Sequence, residues 1–186
     1  KGVAGMETKE EDFVKDLFIA SAHQYMLFFT TKGRLHWRKV HELPRGGRTA
    51  KGRAIVNLLS LGEGERVTAC LPVRDLNEEG RFVFMVTRKG TVKKTALKAF
   101  SNPRATGIIA LDLDRDDELW EAQLTSGHDN ILIATRNGLA IRFPETDVRP
   151  MGRNARGVIG IRLKSGDFVV GVSLADDDKT VLSVTE

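Results

Sequence analysis

The feature that most constrains the fold of this chain is an internal repeat of about fifty residues, marked by three signatures in a constant order. An apolar run that ends at a glycine turn occurs as MLFFTTKG (26–33), FVFMVTRKG (82–90) and NILIATRNG (130–138). A glycine signature occurs as KGVAGM (1–6), KGRAIVNL (51–58), TGIIALDL (106–113) and RGVIGIRL (156–163). An acid-led apolar run occurs as DFVKDLFIA (12–20), ERVTACLPV (65–73), ELWEAQLT (118–125) and DFVVGVSL (167–174). Such a period is typical of propellers and other repeat architectures.

Each repeat predicts four β-strands. Two flank the turn glycines Gly33, Gly90 and Gly138, because glycine adopts positive φ without steric cost. One strand is expected after the glycine signature and one after the acidic turn. The runs are rich in Val, Ile, Phe and Thr and lack a helical period. We therefore predict an all-β, propeller-like fold, with about three full four-stranded blades plus part of another. The predicted repeat units span residues 1–50, 51–105, 106–155 and 156–186, the last of them partial.

Composition is that of a globular protein, and its basic charge suggests an acidic partner. The 186 residues carry a net charge of +4, with 41% hydrophobic and 29% charged residues. The single cysteine, Cys70, excludes an internal disulfide framework and fits a reducing cytoplasm. No run approaches the length of a membrane span, and no signal peptide opens the sequence, so no membrane partner is expected. Because the chain begins at Lys1 and not at Met, we expect a longer parent protein.

Basic residues concentrate in the same part of each repeat, namely the last hairpin and the loop that follows it. Residues 32–53 carry eight Lys or Arg against one acid, residues 88–106 carry six against none, and residues 136–164 carry seven against two. Stacking the blades around an axis would join these stretches into a basic stripe along one edge. A basic stripe is the electrostatic signature of a surface that follows a phosphate backbone.

The stretch RGGRTAKGRAIVNLL (45–59) has two interpretations. It is either a solvated loop entering a strand over IVNLL, or a loop whose glycines let the backbone approach a polyanion while its cations neutralise the charge. The order of its residues does not match a phosphate-binding P-loop.

Catalytic and metal-binding patterns are not evident. The four histidines lack metal-like spacing, and the acidic run DLDRDDE (112–118) lacks the glycine and terminal glutamate of a calcium loop, which favours a solvated turn. The lone Tyr25 lies in a strand-like run and is interpreted as a structural residue. We predict no catalytic residue, no metal site and no cofactor in this chain.

Several phrases resemble the C-terminal domain of the DNA gyrase A subunit: GRAIVNLLSLGEGERVTACLPV (52–73), TRKGTVKKTALKAF (87–100), LTSGHDNILIATRNG (124–138) and MGRNARGVIGIRL (151–163). The resemblance implies a β-pinwheel, a six-bladed propeller variant in which neighbouring blades exchange strands. It also implies that the domain is itself non-catalytic. Its expected role is to bend and wrap double-stranded DNA, without sequence specificity, around a basic outer rim.

The resemblance further implies a bacterial, cytoplasmic, nucleoid-associated type IIA topoisomerase, DNA gyrase, which introduces negative supercoils with ATP and Mg. Its expected partners are double-stranded DNA, the B subunit of gyrase and the rest of the A subunit, in an A2B2 heterotetramer. Two alternatives stay open. One is the related domain of the topoisomerase IV A subunit, and the other is a propeller that binds an acidic protein partner.

Candidate DNA-binding residues follow from the same resemblance. Lys1 and Gly2 match the last two residues of the family's gyrase box, Q-R-R-G-G-K-G, and RGGRTAKG (45–52) resembles a degenerate copy of that box. Equivalent places in later blades supply the remaining candidates. The predicted DNA-binding set is Lys1, Gly2, Arg45, Arg48, Lys51, Arg53, Lys93, Lys94, Arg104, Arg149, Arg153 and Arg156.

Overall fold

The computed structural model describes residues 14–47, 50 and 52–182. Four of the predicted DNA-binding residues, Lys1, Gly2, Arg48 and Lys51, lie outside this part of the chain.

The described residues form β-strands and short 3-10 turns, without an α-helix. The strands are β1 (Tyr25–Thr30), β2 (Arg34–Lys39), β3 (Val67–Val73), β4 (Phe82–Thr87), β5 (Thr91–Ala96), β6 (Ile108–Ile109), β7 (Leu119–Thr125), β8 (Asn130–Thr135), β9 (Ala140–Pro144), β10 (Val158–Ile159) and β11 (Val169–Leu174). The 3-10 turns are Val40–Glu42, Ile55–Asn57, Leu97–Phe100 and Glu145–Asp147. The all-β prediction is confirmed.

Three antiparallel hairpins form the centre of the fold: β1–β2, β4–β5 and β8–β9. Their turn glycines, Gly33, Gly90 and Gly138, have φ of 68°, 87° and 80°. This left-handed conformation is strained for residues that carry a Cβ, which explains why glycine recurs at each turn. The hairpins predicted from the repeats therefore form at the expected positions.

The fourth strand of the first and of the second sheet comes from two predicted repeat units further along the chain. The first sheet has the order β3-β1-β2-β6, the second β10-β5-β4-β7, and the third β11-β8-β9. β6 follows the second hairpin in sequence but pairs with β2 of the first, and β10 follows the third hairpin but pairs with β5 of the second. Neighbouring sheets thus exchange a strand, and each sheet joins residues from more than one predicted repeat unit.

Strand β7 packs against both β3 and β11, so the edges formed by β3, β7 and β11 converge. We call these the inner edges, and the opposite edges, formed by β6 and β10, the outer edges. Sheet two is covered on both faces: Val83 and Met85 pack in the core shared with the first sheet, and Phe84 and Val86 in the core shared with the third. The second sheet is therefore buried between its neighbours.

Two predicted strands do not form. The sequence IVNLL was expected to be a strand, but Ile55–Asn57 is a 3-10 turn with Val56 62% exposed. The described part of the acid-led run at 12–20 has no regular structure, and Leu17 is 90% exposed. In the later repeats the corresponding segments do form paired strands. After the glycine signature, β6 pairs with β2 and β10 with β5; after the acidic turn, β3 pairs with β1, β7 with β4 and β11 with β8. Within the described residues only one hairpin, β1–β2, precedes Ile55–Asn57, and no earlier hairpin lies before it to pair with this segment as β2 pairs with β6; no hairpin precedes residues 14–20.

Candidate nucleic-acid interface

Loops that follow the second and third hairpins bring arginines together at the outer edge of the first sheet. Arg34 begins β2, Arg104 lies in the loop before β6, and Arg153 lies in the loop before β10. All three line one open cleft of about 570 Å³, together with the side chains of Asn102 and Asn154. Strand exchange creates this cluster, because the three arginines come from three different repeat units.

Main-chain carbonyls hold two of these guanidinium groups. Arg34 donates from Nη2 to the carbonyl oxygens of Thr106 at 2.7 Å and Gly107 at 3.4 Å. Arg153 donates from Nη1 to the carbonyl oxygen of Ile109 at 3.3 Å. Carbonyls orient a guanidinium but do not cancel its charge. Among the described residues, no carboxylate forms an ion pair with Arg34, Arg104 or Arg153.

Lys93 and Lys94 do not belong to this surface, which corrects the prediction that they contact DNA. Lys93 is 0% exposed and Lys94 4% exposed. Both lie on β5, in the sheet that is covered on its two faces, so alternate side chains point into two different cores. Their ammonium groups donate to main-chain carbonyls in the interior and cannot reach a phosphate.

The RGGR loop is exposed where the structure describes it. Arg45 and Arg53 face solvent, and Arg53 lines a separate cleft of about 420 Å³ with Leu43, Pro44 and Ile55 among its walls. Neither of these two arginines lines the cleft that contains Arg34, so the predicted set does not gather in one cleft.

Arg149 and Arg156 are also exposed, but of these two only Arg156 forms ion pairs with carboxylates of the described residues. Arg156 donates to Asp112 Oδ2 at 3.1 Å and to Asp114 Oδ1 at 3.0 Å. A phosphate at Arg156 would have to compete with two carboxylates. Arg156 is therefore a weaker candidate for DNA contact than Arg153.

Acidic residues gather at the hairpin turns, away from the arginine cleft. Asp117 accepts hydrogen bonds from the main-chain N–H groups of Lys89 and Glu118, and Asp167 accepts them from Asn137 and Phe168. These carboxylates close turns between a hairpin and the strand that follows it. The described residues contain no group of three or more acidic, His or Cys side chains placed to hold a metal ion.

Known proteins identify the architecture. The family model described as "DNA gyrase C-terminal domain, beta-propeller" matches residues 1–21, 24–74, 81–119 and 129–176. The chain belongs to this family. Its strand-exchanged sheets are those of a β-pinwheel, as the resemblance implied.

Similar proteins include the DNA gyrase A subunit of Salmonella typhimurium, 49% identical over 186 residues, which cover all of this chain and 21% of the relative. Others are the gyrase A subunits of Staphylococcus aureus, 45% identical over 188 residues, and of Haloquadratum walsbyi, 42% identical over 191 residues. Each alignment covers the whole of this chain but only 21% and 22% of the relative. The chain thus spans about a fifth of the length of these relatives.

Solved structures agree on the fold. The C-terminal domain of DNA topoisomerase IV superposes with a TM-score of 0.83 at 30% identity, covering 93% of this chain and 54% of that one. A DNA gyrase A C-terminal domain superposes with a TM-score of 0.68 at 23% identity, covering 83% of this chain and 49% of the other. At that lower identity the likeness concerns the fold alone.

Arg34 is a residue of this candidate interface that sequence reasoning missed. It was counted in the basic stretch at 32–53 but was not among the predicted DNA-binding residues. Its position directly after the turn Gly33 gives no sign of the cleft, because the register Arg34↔Ile109 depends on strand exchange. Only the pairing of β2 with β6 brings Arg34 beside Arg104 and Arg153.

Proposed function

We propose that this chain binds double-stranded DNA along its outer edge and bends it, as the DNA-wrapping domain of a gyrase-type type IIA topoisomerase. The observation that carries the proposal is the open cleft of Arg34, Arg104 and Arg153, in which main-chain carbonyls orient the guanidinium groups of Arg34 and Arg153 without neutralising them. Phosphate oxygens are well-matched ligands for such guanidinium groups.

Contact with the DNA backbone should carry most of the affinity. The cations lie in loops and short edge strands, and the described residues contain no helix that could enter the major groove. Arginines in this setting position a backbone but hardly read bases. A duplex that follows the edge of successive sheets must also curve, and bending 20–30 bp through 40–90° costs about 1–6 kcal/mol, which the added contacts offset.

In the whole enzyme, this domain would act together with a B subunit and with the rest of the A subunit in an A2B2 assembly. Wrapping would present a crossing DNA segment for ATP- and Mg-dependent negative supercoiling. DNA cleavage would belong to another part of the parent protein. The expected location is the bacterial cytoplasm, on the nucleoid, and no helix of the described residues has the length and apolarity to cross a membrane.

A salt titration of DNA binding tests the proposal. Fluorescence anisotropy with two unrelated duplexes of equal length should give similar affinities. Neutralising about eight phosphates predicts a loss of about four decades in affinity between 50 and 200 mM salt. The double variant Arg104→Ala/Arg153→Ala should bind more weakly, with a salt slope shallower by about 1.8.

A matched control removes the same charge elsewhere. Lys32 and Lys89 are exposed lysines at the hairpin turns, in a cleft that also contains Asp116, Asp117 and Glu118. The double variant Lys32→Ala/Lys89→Ala should keep a salt slope near that of the native chain. Equal slopes for both double variants, or more than a hundredfold preference for one duplex, would refute the proposed interface. A shallow salt dependence in the native chain would favour an acidic protein partner instead.

A further inference from the structure

The motif GTVKKT (90–95) places two adjacent lysines in the interior, and neither of them lines the arginine cleft. Buried lysines are rare unless they are paired, because burial of an ammonium group is costly. Their partners therefore indicate what the motif does.

Lys93 joins strand β5 to two other segments through one ammonium group. Its Nζ donates to the carbonyl oxygens of Ala110 at 2.8 Å, Arg153 at 2.5 Å and Ala155 at 3.0 Å. Ala110 directly follows β6, whereas Arg153 and Ala155 lie in the loop before β10. All three N–H groups of the ammonium are thus used, and one of them holds the main chain of a cleft arginine.

Lys94 holds the start of the same loop. Its Nζ donates to the carbonyl oxygen of Glu145 at 2.7 Å, and its own carbonyl oxygen accepts a hydrogen bond from Met151 N at 2.8 Å. Lys94 also forms an isolated bridge with Pro150. The loop that carries Arg149 and Arg153 is therefore fixed to β5 at both ends.

The other hairpins lack this arrangement. Three residues after the turn glycine, where the second hairpin has Lys93, the first has His36 and the third has Ile141. His36 is buried, but its Nε2 has no hydrogen-bond partner among the described residues. Ile141 is 37% exposed. In the described part of the chain, the three-carbonyl arrangement occurs only beneath the loop of Arg153.

We propose that Lys93 is a positioning residue for DNA binding, which fixes the loop of Arg153 so that its guanidinium is held at the outer-edge cleft. This inference rests on the proposed function. Fixing a contact residue before binding raises affinity, because the ordering cost is not incurred on association. Lys93 thus supports a phosphate contact that it never makes itself.

The protonation of Lys93 gives the proposal a second, independent consequence. Burial, together with the nearby charge of Arg153, lowers the pKa of Lys93 to about 8, although Asp112, which also pairs with Arg156, acts to raise it. A neutral amine has only two N–H donors and cannot serve three carbonyls. DNA affinity should therefore fall as the pH rises from 7 to 9.

The test compares four forms of the 186-residue chain: native, Lys93→Met, Arg153→Ala and the double variant. Anisotropy with a duplex of about 40 bp, longer than the 20–30 bp over which a bend develops, is measured from pH 7 to 9 at several salt concentrations. The N-terminus is acetylated, because a free α-amino group titrates in the same range. Lys89→Met serves as the control, since it removes one exposed lysine of the same hairpin.

Lys93→Met should weaken binding about three- to tenfold and make the salt slope shallower by about 0.9, the value of one phosphate contact. Its affinity should no longer change between pH 7 and 9. The double variant should bind no more weakly than the weaker single variant, since both changes disable the same contact. Lys89→Met should keep the native pH profile.

If Lys93→Met binds DNA with native affinity and a native salt slope while Arg153→Ala binds more weakly, this inference is wrong and the proposed function stands. Additive effects in the double variant would overturn it as well. If Arg104→Ala/Arg153→Ala binds like the native chain, the proposed function itself is wrong. Should Lys93→Met fail to fold by circular dichroism, the native pH profile decides, and an affinity constant between pH 7 and 9 overturns the inference.

Discussion

Replacing each turn glycine by alanine should have unequal effects on stability, although the three turns are alike in sequence. A Cβ at Gly33 would lie 2.5 Å from the carbonyl oxygen of Leu111, and a Cβ at Gly90 would lie 2.7 Å from that of Ile161. A Cβ at Gly138 would meet no described atom within 4 Å. The difference arises because segments after β6 and β10 pass over the first two turns.

The expected magnitudes follow from these contacts. Alanine in the left-handed region costs about 1–2 kcal/mol, partly offset by its smaller entropy in the unfolded chain. Gly138→Ala should therefore lower the free energy of unfolding by about 1 kcal/mol. At Gly33 the carbonyl oxygen also accepts hydrogen bonds from Ala110 N at 2.8 Å and Leu111 N at 3.1 Å. Displacing both adds about 1 kcal/mol each, for a total of about 3 kcal/mol.

Gly90→Ala should resemble Gly33→Ala, because the carbonyl oxygen of Gly90 accepts from Gly160 N at 2.9 Å and Ile161 N at 3.2 Å. Urea unfolding, followed by circular dichroism and by the fluorescence of Trp37 and Trp120, measures the three variants. Free energies of unfolding within about 0.5 kcal/mol of one another, the spread of ordinary surface substitutions, would refute the reasoning. That result would mean that the exchanged segments add no stability at the turns.

Two further predictions concern buried ionisable groups. Glu145 is 0% exposed; its carboxylate lies 3.9 Å from Lys94 Nζ and accepts from Thr125 Oγ1 at 2.8 Å and Asp129 N at 2.9 Å. Glu145→Ala should cost about 3–5 kcal/mol, because it leaves the buried ammonium of Lys94 without its carboxylate. Urea unfolding measures this cost, and a loss under about 1 kcal/mol would contradict it. Burial lowers the pKa of His36 below 6.5, so the unfolded chain binds more protons and stability should fall as the pH drops below 6.5. Thermal unfolding should show a lower melting temperature at about pH 5.5 than at about pH 7.5, and this difference should be smaller in His36→Gln. The pKa of Glu65 is lowered, so this carboxyl titrates below the pH range of the test. If His36→Gln loses as much stability between the two pH values as the native chain does, His36 is not the cause.

The hairpins could be predicted from the sequence because their information is local. A run such as FVFMVTRKG contains both the β-branched and aromatic residues of a strand and the glycine of its turn. The exchange of strands could not be derived from this pattern, since β6 and β10 are two residues long and pair across a whole repeat. Only the family resemblance implied it.

The candidate site was predicted in part. Arg104 and Arg153 lie together in the cleft, whereas Lys93 and Lys94 are interior. Adjacent lysines in a strand ordinarily suggest at least one solvent-exposed face. Here both faces of β5 are covered by neighbouring sheets, a fact of tertiary packing that the composition of the strand does not contain.

Strand exchange also affects how this chain emerges from the ribosome. The first hairpin is complete at Lys39, but its outer edge stays unpaired until Ile108 and Ile109 are synthesised. At about 5–20 residues per second, the intervening stretch of roughly seventy residues takes about 3–14 s. For that time β2 exposes a row of unpaired N–H and C=O groups, the type of edge on which nascent chains aggregate. Slow translation through the second repeat would lengthen that exposure, so we expect slow codons between residues 40 and 108 to increase aggregation of the nascent chain.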